Sequence, residues 1–342
     1  MRAGALCLTL TPSSVEEIFA ADLSGVDAVE ARLDYLKDPR DVSSVRWDAL
    51  PVPVIATCRG RDRGGSFDGS AEEEIAILAN AARNGAAYVD LDYRIARPVA
   101  GATVIASYHD FSGTPESLGT IMERVASAEA GVAKIATQVT SWTDNSRLLD
   151  LLRRDWKKPV IVLGMGDIGQ VTRIAGPARG SFLTFAAPSV ARAAAPGQPT
   201  VDEMLHVYRF RRIGASTKLL GILGMPVGHS QSPLIHNRAF EVAGVDFAYV
   251  KFPAPEIGDF MENARGIGIH GFSVTIPHKV AVTPFLDRLE PAASKVGAVN
   301  TVTLRDGLWV GDNTDVHGVR AALRTVGFDP AGKAIVILGR GG

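Results

Sequence analysis

The run Val132-Ala133-Lys134-Ile135-Ala136-Thr137-Gln138 reads as one buried strand with a single lysine set inside it. Helical spacing flanks it on both sides, at 116–129 and 145–154. The same alternation extends outward. Further strands are expected at 5–11, 28–34, 52–59, 87–93, 103–108, 159–164 and 181–187, with helices at 13–23 and 71–84. Eight strands alternating with helices predict an α/β fold of the (β/α)8 barrel type. A doubly wound open sheet is the alternative with the same pattern.

The pattern breaks at 191–200, a stretch rich in Ala, Pro and Gly, and a closing helix is expected at 201–213. After a short polar linker, a second α/β series starts at Leu219. Its strands are expected at 219–224, 248–252, 271–276, 298–303 and 308–311, with helices near 233–243, 256–265, 279–285 and 317–326. The last ten residues read as a strand, Ala334 to Leu338, opening into Gly339-Arg340-Gly341-Gly342. A strand running into a glycine turn is how a dinucleotide-binding βαβ unit begins, with the pyrophosphate seated on the next helix. The expected domains are therefore 1–213, 219–326 and a third beginning at 332–342.

The 342 residues carry a formal charge of −1, with 46% hydrophobic and 21% charged residues. That balance suits a globular enzyme and supplies no basic excess for nucleic acid or an anionic membrane. Two cysteines, Cys7 and Cys58, are too few for a disulfide framework or a zinc site, and no metal is expected. No apolar run approaches a membrane span, and the start lacks a signal-peptide pattern, so a cytoplasmic location is expected.

Active residues of a parallel barrel sit at the C-terminal strand ends. Glu30, Arg32 and Asp34 alternate on the second strand and so face one side. The third strand ends in Thr57-Cys58-Arg59, the fourth carries Asp90 and Asp92, and the fifth ends in Ser107-Tyr108-His109-Asp110. Burial of Lys134 disfavours its ammonium, which suits an amine that attacks a carbonyl. The plainer reading is a lysine that caps the strand or pairs with Asp34 or Asp92. His109 is the lone histidine before His206 and is able to move protons beside an imine. Arg32, Arg59 and Arg173 offer forks for an anionic substrate.

The runs EARLD (30–34), TCR (57–59), SYHDF (107–111), KIA (134–136), MGDIGQVTR (165–173), GSFLTF (180–185) and APGQ (195–198) resemble type I 3-dehydroquinate dehydratase, in order across residues 5–212. The resemblance implies a Schiff base on Lys134 with His109 as general acid/base, converting 3-dehydroquinate to 3-dehydroshikimate with no external cofactor. It implies that Arg173 and Gln198 hold the substrate, with Glu30, Arg32, Arg59 and Asp92 around them. Asp92 stands where the family often has Glu, and Ala194 where it commonly has Ser. A Schiff-base aldolase is the more distant rival.

In the second series, Ser230 and Ser232 precede the helix opened by Pro233, beside free backbone N–H groups that make a plausible carboxylate seat. A simple helix cap is the plainer reading. GFSVTIPHK (271–279), GAVNT (297–301) and GDNTD (311–315) add polar groups at loop positions. Together these runs are similar to shikimate dehydrogenase over residues 219–342. The resemblance implies that Ser230 and Ser232 bind the substrate carboxylate and that Thr275, Asn300 and Asp315 bind its hydroxyls. It implies Lys279 and Asp315 as the proton-transfer pair, and NADP on a Rossmann domain of which Gly339, Gly341 and Gly342 are the opening. Ser273 replaces an Asn found in many members. The whole reads as a shikimate-pathway fusion of dehydratase and dehydrogenase, truncated in its cofactor domain, acting on small molecules, with a homodimer left open. The alternative for the second half is a shikimate-binding module without redox chemistry.

Overall fold

The computed structural model describes residue 1 and residues 3–336. The chain divides between Ser216 and Thr217 into two compact units. The first contains β1 (Ala5–Leu10), α1 (Val15–Phe19), β2 (Ala28–Arg32), β3 (Val54–Thr57), α2 (Ala71–Arg83), β4 (Tyr88–Asp92), β5 (Thr103–Asp110), α3 (Leu118–Ser127), β6 (Val132–Gln138), α4 (Trp142–Leu151), β7 (Val160–Met165), α5 (Gln170–Ala175) and β8 (Leu183–Ala186). All eight strands are parallel, in the order β7-β6-β5-β4-β3-β2-β1-β8.

The sheet curls until its edges meet. Val160 on β7 bridges Ser181 just ahead of β8, and Phe182 N–H donates to the Val160 carbonyl at 2.7 Å. The Ser181 hydroxyl reinforces that seam, accepting from Val162 N–H at 3.2 Å and donating to the Leu183 carbonyl at 3.1 Å. An open sheet lacks such a seam, so the barrel is the fold.

Alternation along β6 sorts its residues between two apolar layers. Val132 and Ala136 join Cys7, Ile55, Ile105, Ile161 and Phe185 in the barrel interior. Ala133 and Ile135 join Leu118, Met122 and Val125 of α3 and Leu148 and Leu151 of α4 outside it. Lys134 shares the parity of the interior set, which is why it points inward. Reciprocal capping boxes start α2 (Ser70 with Glu73) and α4 (Ser141 with Asp144).

The helix expected at 13–23 stops at Phe19. Asp22 accepts from Ser24 N–H at 2.9 Å, and Gly25 follows at φ +74°. That local turn offers the backbone an alternative to helix. The closing helix contains a π-helical stretch, Glu203–Val207, and breaks before a 3₁₀ turn at Phe210–Arg212. Arg209 between them sits at φ +53°, a left-handed conformation that ends a helix.

The second unit contains β9 (Lys218–Gly224), α6 (Ser232–Ala243), β10 (Phe247–Pro253), α7 (Ile257–Ile267), β11 (Ile269–Val274), α8 (His278–Ala281), β12 (Arg288–Leu289), α9 (Pro291–Val296), β13 (Thr301–Arg305), β14 (Leu308–Asp312) and α10 (Thr314–Thr325). The sheet order is β10-β9-β11-β13-β14-β12, with β13 antiparallel to both neighbours. Asp306 and Gly307, both at positive φ, form the two-residue turn of the β13–β14 hairpin. Neither β12 nor α9 was expected; a two-residue strand carries no periodicity to read.

The strand expected from Ala334 is absent over 334–336, which are exposed and irregular. No strand among the described residues pairs with this segment, and an isolated strand has no ladder to hold it. The remainder of that expectation, including Gly339, Gly341 and Gly342, lies outside the described residues.

Ser181→Ala is expected to cost about 1–3 kcal/mol, because it leaves the buried Val162 N–H without a partner. Urea unfolding of the variant checks this, and an unchanged midpoint would remove Ser181 from barrel closure.

Candidate active site

The C-terminal ends of the barrel strands surround a cavity of about 540 Å³, counted to its open mouth. Its lining includes Thr9, Glu30, Arg32, Arg59, His109, Lys134, Arg173, Phe185 and Gln198.

Lys134 is 4% exposed. Its ammonium donates to Asp90 Oδ2 at 2.8 Å, lies 3.9 Å from Glu30 Oε1 and sits 4.3 Å above the Phe185 ring. The structural pairing with Asp34 or Asp92 does not occur, because each has a nearer cation. Arg32 grips Asp34 with two bonds of 2.9 and 2.7 Å, and Arg94 grips Asp92 with 2.8 and 3.0 Å. Asp92 Oδ1 also accepts from Arg94 N–H at 3.0 Å, which closes a local turn.

Asp90 is the hub of the site. Its Oδ1 accepts from Arg59 Nη2 at 2.7 Å and from the Ser107 hydroxyl at 2.6 Å. Burial pushes its carboxyl up, but Lys134 and Arg59, with His109, outweigh burial and hold it well below the usual carboxylate range. Arg59 is consequently spent on protein partners. Its Nη1 contacts His109 Nδ1 at 2.7 Å and Ser107 Oγ at 3.3 Å, and its side chain also lines the cavity.

His109 stacks on Phe111 with ring centroids 6.2 Å apart. Burial, then the Arg59 and Lys134 charges, push its imidazole well below the ordinary histidine value, against a smaller opposing pull from Asp90. It is neutral at pH 7.

Glu30 is tied down by the Thr9 and Thr57 hydroxyls at 3.0 and 2.9 Å. Gln198 donates to Thr9 at 3.3 Å and accepts from Ala194 N–H at 2.9 Å, so Ala194 contributes through backbone where a side-chain hydroxyl was missing. Arg173 differs from the other arginines. It is 2% exposed, donates Nε–H to the Gly164 carbonyl at 3.1 Å, and has no carboxylate within salt-bridge distance among the described residues. Burial pushes it down to about 10, leaving it cationic at neutral pH. A buried cation without a counter-charge is costly and calls for an anion in the cavity.

Reading the sequence alone missed Asp90 as the partner of Lys134, and missed Ser107, Thr9 and Phe185 altogether. The signal for Asp90 and Ser107 was present in strand parity. Across the parallel ladders Asp92 pairs with Ser107 and Ser107 with Lys134, so Asp90 comes beside them two residues below.

In the second unit the expected residues lie at one end of the sheet, off the interior strands β9, β11, β13 and β14. Loops after β9 and β11, both parallel, leave the same side, and Met225 N–H donates to the Ile276 carbonyl across them at 3.0 Å. Asn300 precedes β13 on that side, joined to Val274 and Asp312 by backbone bonds of 2.7 and 3.0 Å. Lys279 Nζ donates to Asp315 Oδ2 at 2.8 Å, and this bond holds Asp315 below its usual range. Asn300 is occupied locally, donating to the Thr314 hydroxyl at 2.9 Å and accepting from Thr314 N–H at 2.9 Å. Ser230 Oγ accepts from Ser232 N–H at 3.2 Å at the start of α6. Thr275 lies in the loop after β11, and Ser273 accepts from the Tyr249 hydroxyl at 2.8 Å.

A parallel eight-stranded barrel with a buried lysine and a histidine lining a cavity at its strand ends defines a (β/α)8 barrel with an enzyme-like site. Comparison with known families narrows it. The profile of "Type I 3-dehydroquinase" matches residues 6–215, and that of "Shikimate dehydrogenase substrate binding domain" matches residues 222–302. The chain belongs to the type I 3-dehydroquinase family. It is 34% identical over 370 residues to the Arabidopsis thaliana "Bifunctional 3-dehydroquinate dehydratase/shikimate dehydrogenase, chloroplastic", covering 98% of this chain and 61% of the plant protein. It is 51% identical over 133 residues to the Geobacter "Shikimate dehydrogenase (NADP(+))", covering 38% of this chain and 46% of that one. The solved structure of dehydroquinate dehydratase and shikimate dehydrogenase from S. pombe AroM aligns with a TM-score of 0.50 at 28% identity, covering 95% of this chain and 67% of that one. The chain thus spans less than two thirds of the length of these two curated relatives. Among the described residues no helix is long and apolar enough to cross a membrane.

The histidine gives a pH signature. An unfolded imidazole takes a proton below about 6.5, whereas folded His109 resists it to much lower pH. As pH falls below about 6.5 the unfolded state binds the extra proton, so stability falls by up to about 1.4 kcal/mol per pH unit from this group. His109→Gln should flatten that part of the stability profile measured between pH 4.5 and 7; an unchanged slope contradicts the assignment.

Proposed function

We propose that the barrel dehydrates 3-dehydroquinate to 3-dehydroshikimate through a Schiff base on Lys134. The observation that carries this reading is the buried Lys134 ammonium facing a cavity that also presents neutral His109 and unpaired Arg173. Arg173 takes the substrate carboxylate, and Gln198 a hydroxyl. The lysine nitrogen condenses with the ketone: R–NH3⁺ and O=C give R–NH⁺=C and water. The iminium acidifies the neighbouring carbon, His109 removes its proton, and the hydroxyl one carbon further leaves as a second water. Hydrolysis restores Lys134 and releases the enone. No external cofactor enters this sequence.

The second unit, on this reading, binds the shikimate skeleton at that end of its sheet. Ser230 and Ser232 seat its carboxylate at the start of α6, while Thr275, Asn300 and Asp315 take its hydroxyls. The Lys279–Asp315 pair holds the proton at the reacting oxygen. NADPH supplies the hydride when bound, and the glycines expected to receive it lie outside the described residues. Two buried unpaired thiols, Cys7 and Cys58, fit a reducing cytoplasm.

Lys134→Ala should abolish release of 3-dehydroshikimate from 3-dehydroquinate, and His109→Ala should lower kcat by about 10²–10⁴-fold. A Lys134→Ala variant that still turns over sinks the Schiff-base reading. Products other than the enone favour an aldolase-type barrel. Shikimate should bind the second unit, and Ser230→Ala should weaken that binding; equal affinity would contradict the carboxylate seat.

A further inference from the structure

The site contains an unbroken chain of charged contacts from the nucleophile to the base. Lys134 Nζ bonds Asp90 Oδ2 at 2.8 Å, Asp90 Oδ1 accepts from Arg59 Nη2 at 2.7 Å, and Arg59 Nη1 contacts His109 Nδ1 at 2.7 Å. A guanidinium has donors only. The last contact therefore requires a lone pair on Nδ1, and the single proton of the neutral ring sits on Nε2. In this state His109 offers the cavity an N–H and is no base. Protonating Nδ1 would set two donors face to face.

We propose that imine formation on Lys134 switches His109 from donor to base by drawing Arg59 off its ring. This rests on the dehydratase reading and adds a sequence of events to it. The free lysine presents three N–H groups and a localised charge to Asp90. In the iminium one N–H remains, the charge spreads onto carbon, and the nitrogen is bonded to substrate in the cavity. Asp90 Oδ2 loses its strongest donor. Arg59 already holds Oδ1 through Nη2, and turning Nη1 onto Oδ2 completes a two-pronged guanidinium–carboxylate pair, the favoured geometry for these groups. That turn releases His109 Nδ1. Water in the open cavity takes the Nε2 proton and returns one to the freed Nδ1, so the ring keeps a single proton, presents a lone pair at Nε2, and accepts the carbon proton without an opposing guanidinium.

The other charged groups bearing on the ring are Arg32 from β2, Asp90 from β4 and Lys134 from β6. Asp34 holds Arg32 with both bonds. Arg59 is thus the charge free to move between two acceptors. The device makes proton abstraction wait for the imine, and Arg59 is a positioning residue in it.

The test is nitrogen NMR of the full chain with ¹⁵N-labelled histidine, the His109 signals being identified by their loss in His109→Gln. Free protein should show the Nε2–H tautomer. In protein saturated with 3-dehydroshikimate, whose ketone condenses with Lys134 to the unreduced iminium, the proton should appear on Nδ1 or on both nitrogens. Arg59→Lys, which keeps the charge and lacks the fork, should hold the free-protein pattern in its adduct and lose kcat more than it changes KM. An adduct with an unchanged His109 pattern overturns the switch and leaves the dehydratase reading intact. Failure of wild-type protein to form any adduct on Lys134 overturns both.

Discussion

Asp90 is the one carboxylate on which the barrel site depends. It is fully buried and sits between two cations, Lys134 and Arg59, with Ser107 filling its remaining acceptor position. A buried charge is tolerated only when paired and hydrogen-bonded, and removing one partner of such a group costs about 3–5 kcal/mol. That constraint fixes Lys134 in one position, aims Arg59 at His109, and through Arg59 sets the state of the imidazole. Among the described residues lining the cavity, Lys134 is balanced by Asp90, whereas Arg173 has no carboxylate within salt-bridge distance.

The barrel was legible in the sequence because its strands are short apolar runs bounded by turns, and closure needed only Ser181 and Phe182 to meet Val160. Lys134 stood out as a single charge inside an apolar strand, and His109 as the lone histidine before His206. The wiring between them was not legible. Asp90, Ser107 and Lys134 are brought together by inter-strand register, and nothing local marks which of two alternating aspartates turns inward. Asp92 illustrates the difficulty: a turn to Arg94, two residues on, captures it. The bonds of Arg59 were hidden for the same reason, since its partners lie 31 and 50 positions away.

The second unit was easier to place than to partition. Its polar runs were recognisable one by one, and the mixed sheet explains why they share one end: β13 runs backward between β11 and β14 and brings Asn300 to their C-terminal ends. Lys279 and Asp315 then meet although 36 residues separate them. The short elements β12 and α9 escaped because neither is long enough to show a period.

The measurement that bears most directly on this account is peptide mapping after borohydride reduction in the presence of 3-dehydroquinate. The account predicts a single stable adduct on the peptide containing Lys134, absent when substrate or borohydride is withheld. An adduct on any other lysine, or turnover of substrate with none formed, would contradict it.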